Sequence, residues 1–451
     1  MLTAQKRTEI FETMPVRQAV LRQAAPSILS QMVALLYNLA DTYFVGLLNS
    51  PLQTAAVTVA TPPFLMLTAV SNLFGVGGAS AISRALGRKE TEKAKQIAAV
   101  SFWLGLCAAI AFCGLFAILA TPILTLCGAK ADTLPTALGY TRWTIIAGGI
   151  GTVLNILLAN LVRAEGNASM ASFGVSMGGI LNIMLDPFFV LPRFLNLGAA
   201  GAGLATALSN LCATLVLLSY LLWSKSTVLH LAVRELRYIG VHLKTILSVG
   251  FPSFLQYALT VVAVAAQGRF VAKYATEAIA ALGIVKKIDM LPLYVCIGIS
   301  TGLLPLLAYN YASGNQQRRQ EAFRFGCGIA VGFALLCVAV FELLAPQITG
   351  IFIDDALTVE YAAKFLRRMV LAMPLMALSY PMIIQFQAMG KVKESLICSI
   401  LRKGVLDIPL LFLMDTLLPL YGCMWVQPIV DATALSAALI LYNRLKKREK
   451  F

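Results

Sequence analysis

The chain has 451 residues, of which 59% are hydrophobic and only 13% are charged. Soluble globular proteins carry about 25% charged residues, so this composition excludes a soluble domain and indicates a protein with many membrane spans. The formal net charge of +15 would fit a nucleic-acid-binding protein. However, the lysines and arginines lie in alternate loops between apolar segments, which is the positive-inside pattern. We therefore expect no nucleic-acid partner.

Long apolar runs predict an all-α membrane protein with twelve transmembrane helices, because about 20 apolar residues are enough to cross a bilayer. In chain order these runs cover residues 17–48, 52–82, 95–122, 134–163, 168–191, 200–224, 245–272, 278–310, 322–346, 360–389, 394–416 and 421–443. The polar segment between the sixth and seventh runs divides the chain. We predict an N-lobe at 1–224, a cytoplasmic connector at 225–244 and a C-lobe at 245–451.

Basic residues are concentrated in every second loop and at the two ends of the chain. Examples are Arg84, Arg88, Lys89, Lys93 and Lys95 after the second run, and Arg444, Lys446, Lys447 and Arg448 after the last. The intervening loops contain fewer lysines and arginines. With twelve spans, this alternation predicts that both termini and the connector are cytoplasmic.

Short motifs recur between the two halves of the chain at a nearly constant offset. Ala25-Pro26-Ser27 matches Phe251-Pro252-Ser253 at an offset of 226, Gly75 and Gly87 match Gly302 and Gly314 at 227, and Ala164-Glu165-Gly166 matches Ala388-Met389-Gly390 at 224. Repeats of six spans enter the membrane from the same side. We therefore predict two pseudo-symmetric six-helix lobes around a central cavity, a common transporter design.

Two acidic residues lie deep within apolar runs of the first half, where a carboxylate costs about 3 kcal/mol or more. Asp41 is nineteen residues beyond Arg22, and Asp186 is nineteen residues beyond Asn167. A rise of about 1.5 Å per residue places both about 28 Å from the same membrane side. Helical spacing and depth bring further polar residues to that level. These are Tyr37, Asn38, Asn182 and Thr206.

Two carboxylates in one apolar pocket resist joint ionisation, so a proton or a cation is expected between them. Oxygen atoms of Asp41, Asn182, Asp186 and Thr206 would also suit Na⁺, so the pocket is a candidate coupling-ion site for H⁺ or Na⁺. The alternative is that the two acids serve only as structural caps or pairing partners. Pro26, in the same run as Asp41, lacks a backbone donor and is a candidate hinge.

Several of these residues belong to motifs that resemble one transporter family. The motifs are Tyr-Asn-x-x-Asp-Thr-x-Phe-Val-Gly at 37–46, Arg-Ala-Glu-Gly-Asn at 163–167, Asn-Ile-Met-Leu-Asp-Pro at 182–187, Gly-Ile-Ser-Thr-Gly at 298–302 and Tyr-Asn-Tyr at 309–311. Together they resemble the multidrug and toxic compound extrusion (MATE) antiporters, most closely the prokaryotic DinF-like and MepA-like branches.

The resemblance implies export of amphipathic, often cationic compounds in exchange for H⁺ or Na⁺, with no cofactor. It implies a transporter, not an enzyme, embedded in the lipid of a prokaryotic plasma membrane, and we expect a monomer. It also implies that Asp41 and Asp186 bind the coupling ion with support from Tyr37, Asn182 and Thr206.

By the repeat offset, Asp41 falls opposite Gln267 in the seventh span. Some branches of the family carry an essential acid in that span, and this chain has none there. Charged residues nevertheless lie within its apolar runs. We assign Gln267, Lys286, Asp289, Asp407 and Asp431 to the substrate cavity. The alternative is structural pairing, for which Lys286 with Asp289 and Lys403 with Asp407 have helical spacing.

The preferred function is a secondary active multidrug antiporter. The main alternative is a flippase or exporter of a lipid-linked or other anionic precursor, which the lysines of the eighth run favour. A membrane enzyme would need a cluster of histidines and acids at the interface, and the sequence contains none. A channel would not need ion-binding carboxylates in only one of two similar lobes.

Overall fold

The structure, a computed structural model, describes residues 9–224, 227–271, 273–274, 276–353 and 355–449. The predicted N-lobe, connector and C-lobe therefore include a few positions outside the described residues, among them 1–8, 225–226 and 450–451. The described residues form helices and turns, with no β-strand among them. The predicted all-α class is confirmed.

After a short helical stretch at residues 9–12, the described residues of the first half form seven α-helices and one π-helical segment. They are α1 (Val16–Gly46), α2 (Pro51–Gly87), α3 (Thr91–Leu126), α4 (Leu134–Thr141), the π-helix Arg142–Ala147, α5 (Gly149–Ala164), α6 (Ala168–Val190) and α7 (Gly198–Trp223). Local sequence explains several of the starting points. Pro51 occupies the first turn of α2, where its missing N–H has no helical acceptor to lose. Asn167 caps α6 by accepting from the backbone N–H of Met170 at 3.2 Å.

In the part of the second half that the structure describes there are eight α-helices and two short 3₁₀ segments. They are Val233–Tyr238 (3₁₀), α8 (Ile239–Val271), α9 (Thr276–Ala312), α10 (Gln316–Gly350), α11 (Ala356–Met369), Val370–Ala372 (3₁₀), α12 (Met373–Met389), α13 (Val392–Arg402), α14 (Asp407–Leu417) and α15 (Gly422–Glu449). Helix α8 begins inside the segment assigned to the connector from the sequence. The remaining connector residues are partly fixed: Glu165 accepts from Thr227 Oγ1 and from the backbone N–H of Val228, both at 3.0 Å.

Within the described residues, ten helices are long and apolar enough to cross a membrane. An eleventh crossing is the pair Leu134–Ala147 and Gly149–Ala164, which is bent by 47°. The prediction of one continuous helix at 394–416 is wrong, because α13 and α14 are two separate helices of 11 residues each. Gly404 between them has φ +154°, a conformation that suits glycine. These two short helices occupy the segment where the sequence predicts a single span.

The two halves contact each other mainly through α1 with α9 and α2 with α8. Helices α1 and α8 begin, and helices α2 and α9 finish, at the same end of the bundle. Arg88, Lys89 and Lys391 lie there, so we call it the basic end. Glycines permit the closest approaches. A Cβ on Gly298 would lie 2.6 Å from Ile28 Cα, and one on Gly302 would lie 2.7 Å from Ala24 Cα. Gly77 and Gly250 similarly face the backbones of Ile246 and Leu73.

Along both α2 and α9, the residues in the half that makes these contacts are more buried than those in the other half. Residues 69–83 of α2 and 295–310 of α9 are almost all buried, whereas residues 51–59 and 276–294 include many exposed positions. Both buried stretches are in the half nearer the basic end. The four central helices are therefore packed together at the basic end, and their opposite halves are more open.

The segment that precedes α1 adds to the packing at the basic end. Phe11 is buried and stacks on Tyr309 of α9, with ring centroids 4.7 Å apart. The Tyr309 hydroxyl donates to Glu12 Oε1 at 2.6 Å. Arg318 donates to the carbonyls of Phe11 at 2.7 Å and Ile10 at 3.0 Å. The N-terminal segment thus bridges to helices of the second half.

Candidate functional site

Asp41, Asn182 and Thr206 meet in a buried polar site formed by α1, α6 and α7. Thr206 Oγ1 donates to Asp41 Oδ2 at 3.3 Å. With the Asn182 amide oriented so that both of its ends are satisfied, its nitrogen donates to Asp41 Oδ1 at 3.0 Å. Its oxygen then accepts from the Thr206 backbone N–H at 3.2 Å. Each oxygen of Asp41 therefore has one donor from a different helix.

Asp186 lies one helical turn beyond Asn182 on α6 and is completely buried. Its carboxyl group is a close neighbour of that of Asp41. Neither oxygen of Asp186 accepts a hydrogen bond from any other group that the structure describes. A buried carboxylate without donors is strongly unfavourable, so Asp41 and Asp186 are not expected to be ionised at the same time.

A pair of glycines on α6 allows the three helices to converge at this site. A Cβ on Gly179 would lie 2.6 Å from Val33 Cγ1 on α1, and one on Gly178 would lie 2.8 Å from Ala213 Cβ on α7. Any larger residue would separate α6 from one of its two neighbours. The adjacent glycines therefore set the distance over which Asp41, Asn182 and Thr206 interact.

The other predicted residues of this site have different surroundings. Tyr37 is half-buried on α1, and its ring packs against Gly179. Asn38 donates its amide to the carbonyl of Ala34 in its own helix at 2.7 Å, so that nitrogen is not directed at Asp41. Pro26 lies far from the acids, between the positions of α1 that contact α9, and α1 continues through it as one helix.

Tyr140 of α4 is a buried neighbour of the site that the sequence analysis does not identify. It packs against α7 close to Thr206: a Cβ on Gly203, one turn before Thr206, would lie 2.8 Å from the carbonyl oxygen of Tyr140. The depth of Tyr140 could have been predicted from the sequence. It is six residues beyond Leu134, where α4 begins, so a rise of about 1.5 Å per residue places it about 9 Å from the start of that helix. Thr206, eight residues into α7, lies at a similar depth.

The predicted residues of the second half divide between a pocket and a buried ion pair. Gln267, Lys286 and Asp407 line one pocket with Lys403. Asp431 instead accepts from Arg402 Nε at 2.9 Å, and both side chains are only 1% exposed. Asp289 is half-buried on α9, one turn beyond Lys286. Lys403 donates to Gln427 Oε1 at 2.7 Å, and its predicted pairing with Asp407 is not formed.

The MatE family model matches the chain twice, at residues 26–188 and 252–413. The chain belongs to the MATE family. The two matches begin 226 residues apart, which is the offset between Pro26 and Pro252. MATE proteins are transporters, so this chain is a membrane transporter of that family and not an enzyme.

Individual MATE proteins are similar to this chain over nearly its whole length. The multidrug export protein MepA of Staphylococcus saprophyticus is 31% identical, with 97% of this chain and 96% of the relative covered. MepA of Staphylococcus aureus strain MRSA252 is 29% identical over the same shares. A solved structure described as the outward-facing conformation of a multidrug resistance MATE transporter has a TM-score of 0.90 at 26% identity, covering 99% of this chain and 98% of that one.

Proposed function

We propose that this MATE protein is a secondary active antiporter that exports amphipathic, often cationic compounds in exchange for H⁺ or Na⁺ bound at Asp41 and Asp186. The observation that carries the proposal is the position of Asp186, which is fully buried beside Asp41 with no other donor among the described residues. Such a pair is stable only with a bound proton or cation. The similarity to MepA supports the multidrug part of the proposal.

The donor set around the acids is compatible with either ion. A proton on one carboxyl group would supply the hydrogen bond that the Asp186 oxygens otherwise lack. For Na⁺, the carboxylate oxygens of Asp41 and Asp186 would be joined by the oxygens of Asn182 and Thr206. These are the hard oxygen ligands that such cations prefer. No further cofactor is needed.

Exchange requires that ion binding change the relative stability of two conformations. We propose that the lobes 1–224 and 245–451 move relative to each other about the connector, with Pro26 as the hinge of α1. The repeated family match supports this division. The packing at the basic end and the similarity to an outward-facing MATE structure support an outward-open state. In this state the ion would enter from outside, and its binding would favour repacking of α1.

The basic end would face the cytoplasm, with the protein as a monomer in a prokaryotic plasma membrane. This orientation rests on the lysines and arginines near that end, such as Arg88, Lys89 and Lys391, and on the positive-inside rule. Attachment of an impermeant reagent to a cysteine introduced at Lys89, in intact cells and in inverted vesicles, tests it. Labelling from outside intact cells would contradict the orientation.

A second candidate is export of an anionic precursor, which the pocket with Lys286 and Lys403 favours. A multiply charged anion would need more positive charge than negative charge along its path. Asp407 shares the pocket and Asp289 is nearby, so that excess is small. For this reason we prefer the multidrug antiporter.

The proposal is tested in proteoliposomes loaded with an amphipathic dye cation, tetramethylrhodamine methyl ester. A pH gradient and a Na⁺ gradient are imposed separately and together. We expect one of the two gradients to drive dye export, and Asp41→Asn to abolish this export without changing the amount of folded protein. Export that proceeds equally without any gradient, or that is unchanged in Asp41→Asn, would rule out the proposed coupling.

A further inference from the structure

The chain before α1 forms a short strap, residues 9–14, across the basic end of the bundle. Its apolar side chains are directed inward: Ile10, Phe11 and Met14 are 0%, 2% and 7% exposed. Side chains four residues apart lie on one face of a helical turn, and the other face of the strap is exposed. The strap therefore packs as an amphipathic turn and is not a free extension of α1.

The strap belongs to the N-lobe by its place in the chain, but it is anchored on α9 of the other half. Phe11 stacks on Tyr309, with ring centroids 4.7 Å apart and an angle of 11° between the rings. The Tyr309 hydroxyl donates to Glu12 Oε1 at 2.6 Å. Hydrogen bonds to an ionised carboxylate are stronger than those between neutral groups. Together the two contacts hold the strap against the last turn of α9.

Arg318 of α10 fixes the main chain of the strap. Residues 9–12 are helical, and the last carbonyls of a helix have no partners within it. Arg318 Nε donates to the carbonyl of Phe11 at 2.7 Å, and its Nη2 donates to that of Ile10 at 3.0 Å. A basic side chain of the second half therefore caps the helical turn of the strap.

The contacts with the second half continue from the strap into α1. Met14, at the junction, is buried, and the guanidinium carbon of Arg17 lies 5.8 Å from the centre of the Phe325 ring of α10. Further along α1, Ala24 lies against Gly302 of α9. Movement of α1 away from α9 at the basic end would therefore pull the strap off its site.

The corresponding segment of the second repeat is packed differently. At the offset of 226 between Pro26 and Pro252, residues 9–14 correspond to 235–240. Each residue of 235–240 is half-buried or exposed. Burial of this segment is thus not required to build a six-helix lobe. In the first half, its contacts join the beginning of one lobe to the other lobe.

We propose that the strap holds the basic end closed in the outward-open state, and that it must detach from α9 and α10 before this end can open. The inference rests on the proposed antiport function, because it assigns a control to one step of the exchange cycle. Contacts that exist in only one of two conformations shift the balance toward that conformation. Weakening the strap therefore raises the population in which the basic end is open.

Labelling of a cysteine introduced at the interface of the halves tests the closing role. Ser80 of α2 is completely buried and donates to the Gln387 carbonyl of α12 at 2.6 Å. The reaction of Ser80→Cys with a polar maleimide is followed in the purified full chain, after subtraction of the labelling without this substitution. We expect added Phe11→Ala to accelerate labelling about tenfold, equivalent to about 1.4 kcal/mol. Tyr309→Phe keeps the stacked ring but loses the hydroxyl, and should accelerate it less.

Phe365→Ala is the matched control for the loss of a buried ring. Phe365 of α11 is 0% exposed and contacts Tyr421 with ring centroids 5.8 Å apart, so both partners lie in the second half. Phe365→Ala should lower the thermal unfolding temperature at least as much as Phe11→Ala, and should leave labelling at position 80 unchanged. Native labelling in Phe11→Ala, or equal acceleration in both variants, would overturn the proposal.

Detachment of the strap is tested by fixing it in place. Glu12→Cys and Tyr309→Cys are combined in a chain whose nine native cysteines are replaced by alanine, and a bis-methanethiosulfonate reagent joins the pair. We expect gradient-driven export of the methyl ester dye to stop on linking and to recover on reduction. Unchanged export by the linked protein would overturn the need for detachment. Failure of the native protein to export under any gradient would instead reject the antiport function, and the labelling comparison would still decide whether the strap closes the basic end.

Discussion

Thr206 on α7 donates a hydrogen bond to Asp41 on α1 at 3.3 Å, although the two residues are 165 positions apart. The bond joins two helices of the first half at the place where Asp186 is buried. Changes in the ionic state of Asp41 will therefore alter a contact between helices as well as a local charge. In the proposed antiporter, this relationship would link ion binding at the acids to movement of the helices.

The Thr206 hydroxyl is expected to tune ion binding without being essential for transport. Thr206→Val removes a hydrogen bond to a charged group, worth about 1.5–3 kcal/mol, while it keeps the shape of the side chain. For Na⁺ exchange, the Na⁺ concentration at half-maximal rate should rise about tenfold, because one oxygen ligand is lost. For H⁺ exchange, the half-maximal proton concentration should fall, because the ionised carboxylate loses a donor.

Initial export rates measured over a range of each ion decide between these results. Thr206→Ser keeps the hydroxyl and should behave like the native protein. Thr214 is a second buried threonine on α7, and it donates to the carbonyl of Gly151 at 2.8 Å. Thr214→Val is therefore a control for general packing effects. Equal ion dependence in Thr206→Val and the native protein would remove the hydroxyl from the site.

Neutralising Asp186 should prevent gradient-driven export. Asp186→Asn keeps the volume of the side chain but cannot take part in a carboxylate pair, so we expect at least about a tenfold loss of initial rate, equivalent to about 1.4 kcal/mol. Binding of the methyl ester dye, followed by fluorescence anisotropy, should persist. Asp132 is exposed in the turn before α4, and Asp132→Asn should retain full export. Full export by Asp186→Asn would exclude a role for Asp186.

The buried pair Arg402–Asp431 should be important for stability. Arg402 Nε lies 2.9 Å from Asp431 Oδ1, and the guanidinium carbon lies 3.8 Å from the centre of the Tyr380 ring. Arg402→Met leaves a buried carboxylate without its cation, which typically destabilises by about 3–5 kcal/mol. The double variant Arg402→Met, Asp431→Leu should recover most of that loss.

Thermal unfolding of the purified protein in detergent measures these effects. Lys364 and Glu360 form an exposed pair on α11, with 46% and 59% of their side chains accessible. Lys364→Met should change stability by less than about 1 kcal/mol, because exposed pairs contribute little. If Arg402→Met unfolded at the same temperature as Lys364→Met, the buried pair would not be stabilising.

The close approach of α1 and α9 should be sensitive to added side-chain volume. Gly298→Ala places a methyl group about where Ile28 lies, and overpacking of this kind usually costs about 1–3 kcal/mol. We expect lower thermal stability and faster labelling of a cysteine introduced at Ser300, which is buried nearby. Gly328→Ala and Gly332→Ala, on α10, meet nothing within 4 Å and should have neither effect. Unchanged labelling in Gly298→Ala would contradict tight packing at the basic end.

Helix positions and the depth of the acids follow from simple sequence rules, whereas the partners of each side chain do not. Apolar length predicted crossings such as Val16–Gly46 closely, and helix rise predicted that Asp41, Asp186 and Thr206 share one level. The break between α13 and α14 was missed because its residues are apolar enough on average for one span. In the sequence, the break is indicated only by Gly404, which lies between Lys403 and Asp407. Its positive φ is seen in the structure.

The surroundings of individual residues depend on contacts between distant helices, which sequence spacing does not give. Asn38 has the same helical face as Asp41, but its amide donates to Ala34. Asp431 and Lys286 both looked like cavity residues, but Asp431 is paired with Arg402 and Lys286 is not paired within the described chain. Tyr140 was at a predictable depth, but its proximity to the acids required the packing of α4 against α7.

The glycines at the contacts between the central helices also predict where mutations that inactivate the transporter should arise. Every single-base change that replaces glycine in a codon introduces a residue with a Cβ atom, and Gly77, Gly250, Gly298 and Gly302 have no room for one. Spontaneous clones that become drug-sensitive while still producing the protein should therefore carry lesions at these four codons repeatedly. Many such alleles would lie at the interface of the halves, remote from the carboxylates.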